Sequence, residues 1–305
     1  MAAELRAVLA ALEDELGAPE DEPEPLDGGI TNRNVRVRLR GRDCVIRLPG
    51  SGTALLGIDR ETERAATVAA AAAGVGPDVV AHRDDPACLV TEFVAGEVLD
   101  AAALREPARI ARAAAALRAV HAGPPLDRSF DAFEIVERYK HLTEERGGRP
   151  LDGYDELAAG AAAIRAALGG PEHAPVPCHN DLLPANFIDD GARLRILDWE
   201  YAGMGDRYFD LANLSVNSGY AEDDDERLLA AYWEEPCTPR RFAALRLMRV
   251  MSDFREAMWG TVQVELSELD FDFAGYAAEH GARVRQALDD PRIPGWLEDA
   301  RDRPA

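Results

Sequence analysis

Residue types that can do chemistry gather in one stretch of the 305-residue chain. They are His179-Asn180-Asp181-Leu182-Leu183-Pro184-Ala185-Asn186, followed by Leu197-Asp198-Trp199-Glu200. The spacing is H-x-D-x-x-x-x-N, then twelve residues to a second aspartate behind an apolar strand. Phosphoryl transfer from Mg²⁺-ATP calls for such parts. One carboxylate must orient and deprotonate the attacking hydroxyl, while an Asn oxygen and a second carboxylate hold Mg²⁺ against the phosphates. Asp181 suits the first task; Asn186 and Asp198 suit the second. His179 suits support of the loop by hydrogen bonding rather than reaction. Singly, each of these residues is also an ordinary turn or cap residue. The four together, between an extended segment and a hairpin, point to a phosphotransfer site.

The elements that must position them can be read from periodicity. Residues 1–17 place Leu5, Val8, Leu9, Leu12 and Leu16 on one helical face. An acidic, Pro-rich loop follows over 18–25. Residues 35–39 and 44–48 alternate apolar and polar around Arg40-Gly41-Arg42-Asp43, which predicts a hairpin. A helix is expected over 61–73, ended by Gly74, then strands over 79–82 and 88–94. After Gly96 the pattern turns helical over 109–121, 130–145 and 154–168. Residues 171–177 read as a loop, 186–188 and 194–197 as a short strand pair around Asp189-Asp190-Gly191, and the chain from Tyr208 onward as helices. The acidic run Glu222–Glu226 reads as a solvated helix start.

Composition narrows the field. Hydrophobic residues make up 47% of the chain, enough for one large domain or two lobes. The formal charge is −22, from 34 Lys+Arg against 56 Asp+Glu. Such a surface repels phosphate backbones, so no nucleic-acid partner is expected; it suits a cationic small molecule. No apolar run approaches the ~20 residues of a membrane helix. Residues 1–17 carry Glu4, Glu13, Asp14 and Glu15 and lack the form of a secretory signal. Cys44, Cys88, Cys178 and Cys237 are far apart, without a C-x-x-C pair, so neither a zinc site nor a disulfide framework is expected. A cytoplasmic setting is the expectation.

The H-x-D-x-x-x-x-N and D-W-E stretches resemble the aminoglycoside phosphotransferase and choline kinase superfamily. Asp198-Trp199-Glu200-Tyr201-Ala202-Gly203 and Phe209-Asp210-Leu211-Ala212-Asn213 are most similar to choline and ethanolamine kinases. The resemblance implies an α+β, two-lobed, protein-kinase-like fold. A nucleotide-binding lobe would span 1–95, and a helical catalytic and acceptor-binding lobe 96–305. It implies ATP and Mg²⁺ as cofactors, with Asn186, Asp198 and Glu200 toward the metal. Gly28-Gly29-Ile30-Thr31-Asn32-Arg33-Asn34 looks like the nucleotide loop, where glycines let backbone N–H groups approach phosphates; Thr31 and Asn32 are its candidate contacts. Glu92 to Val94 looks like the hinge that meets adenine. A kinase-like lobe also needs a cation on its central strand, yet the only lysine is Lys140. Arg47 takes the place, as in similar kinases, and arginine can grip phosphate bidentately. Glu63 is the matching helix carboxylate, with Glu61 the alternative.

The acceptor side rests on Met258-Trp259-Gly260-Thr261-Val262-Gln263 and Tyr276, which resemble the aromatic region of a choline pocket. Aromatic faces attract ammonium groups. Trp259, Gln263 and Tyr276 are therefore candidate contacts, with Glu256 or Asp206 as acidic help. Similar choline kinases have a second Trp where this chain has Glu256, and a carboxylate where it has Asn217. The resemblance thus implies a kinase acting on the hydroxyl of a small, cationic acceptor, choline or ethanolamine foremost. Another small alcohol (an aminoglycoside, thiamine or a sugar) and a nucleotide-binding module without activity are the alternatives.

Overall fold

The computed structural model describes residues 2–26, 32–50 and 52–301. Helix α1 (Ala2–Leu16) precedes strand β1 (Glu24–Leu26), a short edge strand containing Pro25 in the stretch expected to be loop. Strands β2 (Asn32–Leu39) and β3 (Arg42–Pro49) form the expected hairpin. Its two-residue turn needs positive φ at both positions, and Arg40 and Gly41 supply 47° and 73°. Helix α2 (Arg60–Ala72) starts at Asp59, whose carboxylate accepts the Thr62 N–H. Strands β4 (Val79–Asp84) and β5 (Ala87–Glu92) complete an antiparallel sheet of order β1-β2-β3-β5-β4.

Strand alternation divides this sheet chemically. Cys44, Ile46 and Leu48 of β3 join Val37, Leu39 and Val90 in a core closed by Val8 and Leu12 of α1. The intervening positions, Val45 and Arg47, fall on the opposite face and line a cleft. The parity that buries Ile46 therefore also aims Arg47 at the cleft.

Beyond residue 96 come β6 (Glu97–Val98), α3 (Ala101–Leu104), α4 (Pro107–His121), α5 (Ala132–Glu145) and α6 (Tyr154–Ala167). Short strands β7 (Val176–Cys178), β8 (Phe187–Asp189), β9 (Leu194–Ile196) and β10 (Gly203–Gly205) follow, then α7 (Arg207–Asn217), α8 (Glu222–Trp233), α9 (Pro239–Leu266), α10 (Phe273–Leu288) and α11 (Ile293–Asp299). The 171–177 stretch is not all loop: β7 pairs antiparallel with β10. Three residues centred on Pro177 leave no periodicity to read, and only the partner strand defines them. The acidic run at the start of α8 is not wholly solvated either. Asp225 is fully buried, held by Arg246 and Arg249 at 2.9 and 3.1 Å.

Helix α9 is the spine of the helical part, with α5, α7 and α10 packed around it. From Val250 to Gln263 every residue is buried, including Asp253, Arg255, Glu256 and Gln263. Charged residues on a helix buried all round need internal partners, and these lie at the site described below. Helix α10 crosses closest at Gly260, where a Cβ would come within 2.9 Å of the Tyr276 ring and 3.1 Å of the Ala277 nitrogen.

The two parts meet around residue 96. β6 adds to β8 and β9 as a three-stranded sheet, and Ile196 N–H donates to Val75 O at 2.8 Å. Gly96 permits this approach: a Cβ there would stand 2.5 Å from Asp189 O and 2.6 Å from Ile188 Cγ2. Gly96→Val should therefore destabilise the protein by ~1–3 kcal/mol, the ordinary cost of overpacking. Gly169→Ala, which has open space around its Cβ, should change little; urea denaturation of both variants checks this.

Candidate active site

The loop carrying Asp181 leaves β7 and is held from below. The Asp210 carboxylate on α7 accepts the backbone N–H groups of His179 (2.8 Å) and Asn180 (2.7 Å), and contacts His121 Nε2 at 3.0 Å. Asp210 is fully buried, so these donors and the α7 backbone fix the turn. Asn180 sits at φ 67°, a conformation asparagine tolerates better than most residues. One turn along α7, Asn213 Oδ1 accepts the Leu182 N–H at 2.5 Å.

His179 is a brace. Its Nδ1 accepts the Asp181 N–H at 3.2 Å, and its Nε2 donates to Leu197 O at 2.8 Å. Both nitrogens are therefore in use, and the tautomer is set. Burial lowers its pKa, which favours the neutral ring that this pattern requires. The brace ties the Asp181 loop to the strand leading to Asp198. Asn186 Nδ2 donates to Asp181 O at 3.0 Å, so the amide nitrogen is committed to the loop. Asn186 and Asp198 both line the cleft under the sheet. Together they offer hard oxygen donors of the kind Mg²⁺ takes.

Arg47 crosses that cleft. Its Nη1 lies 2.8 Å from Glu63 Oε1 and 2.6 Å from Asp198 Oδ1, and its Nε donates to Asn34 Oδ1 at 3.3 Å. Burial works against the charge, but Asp198, Glu63 and Glu200 outweigh it and hold the guanidinium above its usual range. Glu63, not Glu61, is the helix partner; Glu61 is exposed and pairs with Arg64. Lys140 pairs with Glu144 on α5, far along the chain from this cleft. The cleft, about 430 Å³, is further lined by Val45, Leu89, Ile188 and Leu197, and by Glu92, Phe93 and Val94 at the end of β5. The Glu92 and Phe93 N–H groups are taken by Asp78 O and Asp43 O. Among the described residues, Val94 N–H is the first past the sheet without a backbone acceptor.

Two candidates fall elsewhere. Glu200 does not line the cleft with Asn186 and Asp198. It is buried, and its Oε2 is held by Asn32 Nδ2 (2.7 Å) and Arg60 (3.4 Å). Asn32 is thereby a tie between sheet and loop. Asp206 does not join the acceptor candidates. One oxygen caps α7 through the Tyr208 N–H and the other meets His173 Nδ1 at 2.6 Å. A carboxylate one residue before a helix is in capping position, and that local demand outranks the ligand role read from its charge. Thr31, with the glycines before it, lies outside the described residues.

Glu256, Trp259, Gln263 and Tyr276 do come together on α9 and α10. Trp259 and Tyr276 rings meet edge to face at 5.8 Å, and Trp259 Nε1 donates to Tyr201 Oη at 3.0 Å. Tyr276 Oη donates to Glu256 Oε2 at 2.8 Å. Gln263 is buried one turn beyond Trp259. The residue that sequence reasoning missed is Arg255. Its guanidinium is buried, pairs with Glu256, lies 3.3 Å from Asp181 Oδ1 and sits 4.5 Å from the centre of the Tyr201 ring. An Arg-Glu pair on a helix reads as a solvated face; only the burial of α9 makes it internal. Asp181 has its pKa raised to about 7, first by burial, with Glu256, Asp198 and Glu200 adding and Arg255 opposing.

A two-lobed α+β fold with a cation-bearing sheet over an H-x-D-x-x-x-x-N loop defines a protein-kinase-like phosphotransferase of small molecules. Residues 22–248 match the Phosphotransferase enzyme family, and the chain belongs to it. The chain is 30% identical to a choline/ethanolamine kinase family protein from Mesorhizobium loti, whose crystal structure superposes with a TM-score of 0.85 over 98% of this chain and 99% of that one. It is 29% identical to ethanolamine kinase 2 of Mus musculus over 279 residues, 82% of this chain and 71% of that protein. The choline kinase LicA from Streptococcus pneumoniae, at 23% identity, shares the fold with a TM-score of 0.77 over 94% of this chain and 99% of that one. The chain is thus a small-molecule kinase that binds an ATP-type nucleotide.

Because Asp210 satisfies two buried amides and His121, Asp210→Ala leaves all three without an acceptor. At ~1–3 kcal/mol for each orphaned group, it should cost several kcal/mol in denaturant unfolding. Asp210→Asn, which keeps one acceptor oxygen, should fall between Asp210→Ala and the parent.

Proposed function

We propose that this kinase transfers the γ-phosphoryl group of ATP to the hydroxyl of a small amino alcohol of the choline and ethanolamine class. The observation that carries the reading is the Arg47–Asp198 contact of 2.6 Å. It brings the cation of the sheet, the second aspartate and Asn186 into one cleft, and Asn186 is bonded to the loop that carries Asp181. In this reading residues 1–95 form the nucleotide lobe and 96–305 the catalytic and acceptor lobe. Adenine takes the Val94 N–H and packs against Val45, Leu89 and Leu197, while Arg47, braced by Glu63, meets the phosphates.

Asn186 and Asp198 would hold Mg²⁺, which would supply neutralisation of phosphate charge. Asp181 accepts the proton of the acceptor hydroxyl. The hydroxyl oxygen forms its bond to the γ-phosphorus as the bond to the β–γ bridging oxygen breaks, and ADP departs with the electron pair. Asn186 and His179 keep the Asp181 backbone in register; Arg255 holds its carboxylate.

The acceptor sits beside Trp259, Tyr276 and Tyr201, where aromatic faces favour a cation. Arg255 already places one cation there, against Glu256 and Asp181. Similarity to ethanolamine kinases supports a compact primary amine within that class. A cytoplasmic setting accompanies the reading, with all four cysteines free. ADP release with ATP and Mg²⁺ over amino alcohols, aminoglycosides and sugars tests it. Turnover of ethanolamine is expected; turnover confined to neutral sugars would overturn the acceptor class.

Asp181→Asn should lower kcat by ~10²–10⁴-fold with ATP affinity nearly unchanged. The parent kcat/KM should fall as pH drops through about 7, because the base must be ionised. Arg255→Met removes the cation that favours ionisation, so the same limb should move to higher pH. Trp259→Ala should raise the acceptor KM by roughly 3–30-fold, one cation–π contact, while leaving the KM for ATP in place.

A further inference from the structure

A second cavity, about 320 Å³, lies apart from the nucleotide cleft and shares only Tyr201 with the residues of the chemistry above. Its walls come from the turn after β3 (Leu56, Gly57), the segment before α5 (Arg128, Ser129, Asp131), α5 itself (Glu134, Arg138), and Tyr201 with Ala202. This size is within the range of small-molecule pockets.

Its charges are arranged unevenly. Two arginines and two carboxylates line it, yet they do not pair with each other. Asp131 lies 2.9 Å and Glu134 3.4 Å from Arg165, and Asp131 also caps α5 through the Phe133 and Glu134 N–H groups. Arg138 is spent only in part: its Nη2 donates to Leu56 O at 3.0 Å, and among the described residues it makes no ion pair. Among the described residues, the Arg128 guanidinium has neither a hydrogen bond nor an ion pair, though its charge reaches Asp59. The wall is also shaped around Arg138. Gly57 sits at φ 89°, and a Cβ there would stand 2.2 Å from Arg138 Nη2. Glycine at this turn thus both permits the left-handed backbone and leaves room for the guanidinium.

Two guanidiniums with free N–H groups beside a hydroxyl, with Asp131 and Glu134 turned toward a third arginine, Arg165, present donors into the cavity. Guanidinium pairs carboxylate and phosphate oxygens in just this way. We propose that the cavity binds an anionic group, a carboxylate or phosphate, of a small molecule through Arg128 and Arg138. Tyr201 connects it to the acceptor cluster: its ring lines the cavity, lies beside the Arg255 guanidinium, and its hydroxyl accepts from Trp259. The anion is therefore either the far end of the acceptor or a separate small anion. The acceptor source rests on the amino-alcohol reading; the site itself does not.

The test is equilibrium binding of inorganic phosphate to the intact protein by calorimetry at constant ionic strength, without turnover. Saturable binding is expected, weakened about tenfold or more in Arg128→Gln, as for loss of a hydrogen bond to a charged group, and kept in Arg47→Gln, which controls for the nucleotide cleft. Among the described residues the Arg128 side chain bonds no other group, so its variant tests the site even if Arg138→Gln, which also frees Leu56 O, proves unstable. Absence of saturable binding, equal affinity in Arg128→Gln, or loss in Arg47→Gln alone would each overturn the proposal. With binding established, L-serine, an amino alcohol bearing a carboxylate, distinguishes the sources. Competition with phosphate assigns the site to the acceptor's far end; no competition assigns it to a separate anion. A kinase inactive on every amino alcohol would end the functional reading and leave the phosphate result standing.

Discussion

The loop that bears Asp181 hangs from one buried carboxylate. Asp210 takes the amides of His179 and Asn180 and meets His121, so the loop bearing Asp181 is tied to helix α7 rather than left to its own turn preferences. A fully buried acid is costly unless its oxygens are satisfied. Here the satisfying donors include that loop's own backbone, so stabilising the acid and shaping the loop are the same event. His179 passes that order on to the Asp198 segment by bonding Asp181 N–H on one side and Leu197 O on the other.

The sheet contributes one guanidinium. Because side chains alternate along β3, the register that buries Cys44, Ile46 and Leu48 under α1 places Arg47 over the cleft. The Arg47–Glu63–Asp198 chain then crosses from sheet to helix to loop. Such a partly buried network is worth little as net stability but is sensitive to loss of one partner. It therefore works as a positional latch between the two parts of the molecule. A guanidinium can hold Glu63 and Asp198 at once and still keep donors for phosphate, which a single ammonium does less well.

Helix α9 shows a different logic. A helix with Asp253, Arg255, Glu256 and Gln263 among Val, Met and Phe would read as one polar and one apolar face, yet both faces are buried. The polar residues are paired inward: Arg255 with Glu256 and Asp181, Glu256 with Tyr276. The charge beside Asp181 thus belongs to the helix that also carries Glu256 and Trp259, so the Asp181 loop and that cluster are coupled through one side chain.

The amino-acid sequence by itself determined the parts whose cause is local or periodic. Alternation around Arg40-Gly41 and the spacing of Leu5 to Leu16 specified sheet and helix, because these patterns reflect one buried face. The H-x-D-x-x-x-x-N and D-W-E spacing marked Asp181, Asn186 and Asp198, because the chemistry requires those groups a short chain length apart. The absence of any lysine before Lys140 singled out Arg47. Only the tertiary structure decided what depends on a distant partner. β7 exists because β10 is there to pair with it. Glu63 rather than Glu61 faces Arg47 because of how α2 is rotated against the sheet. Glu200 is drawn to Asn32 and Arg60, and Asp206 to the end of α7, because a carboxylate goes to the nearest unsatisfied donors. Arg255 became an internal cation only when α5, α7 and α10 enclosed α9. Burial on that scale is a property of assembled helices, and nothing in the spacing of one helix records it.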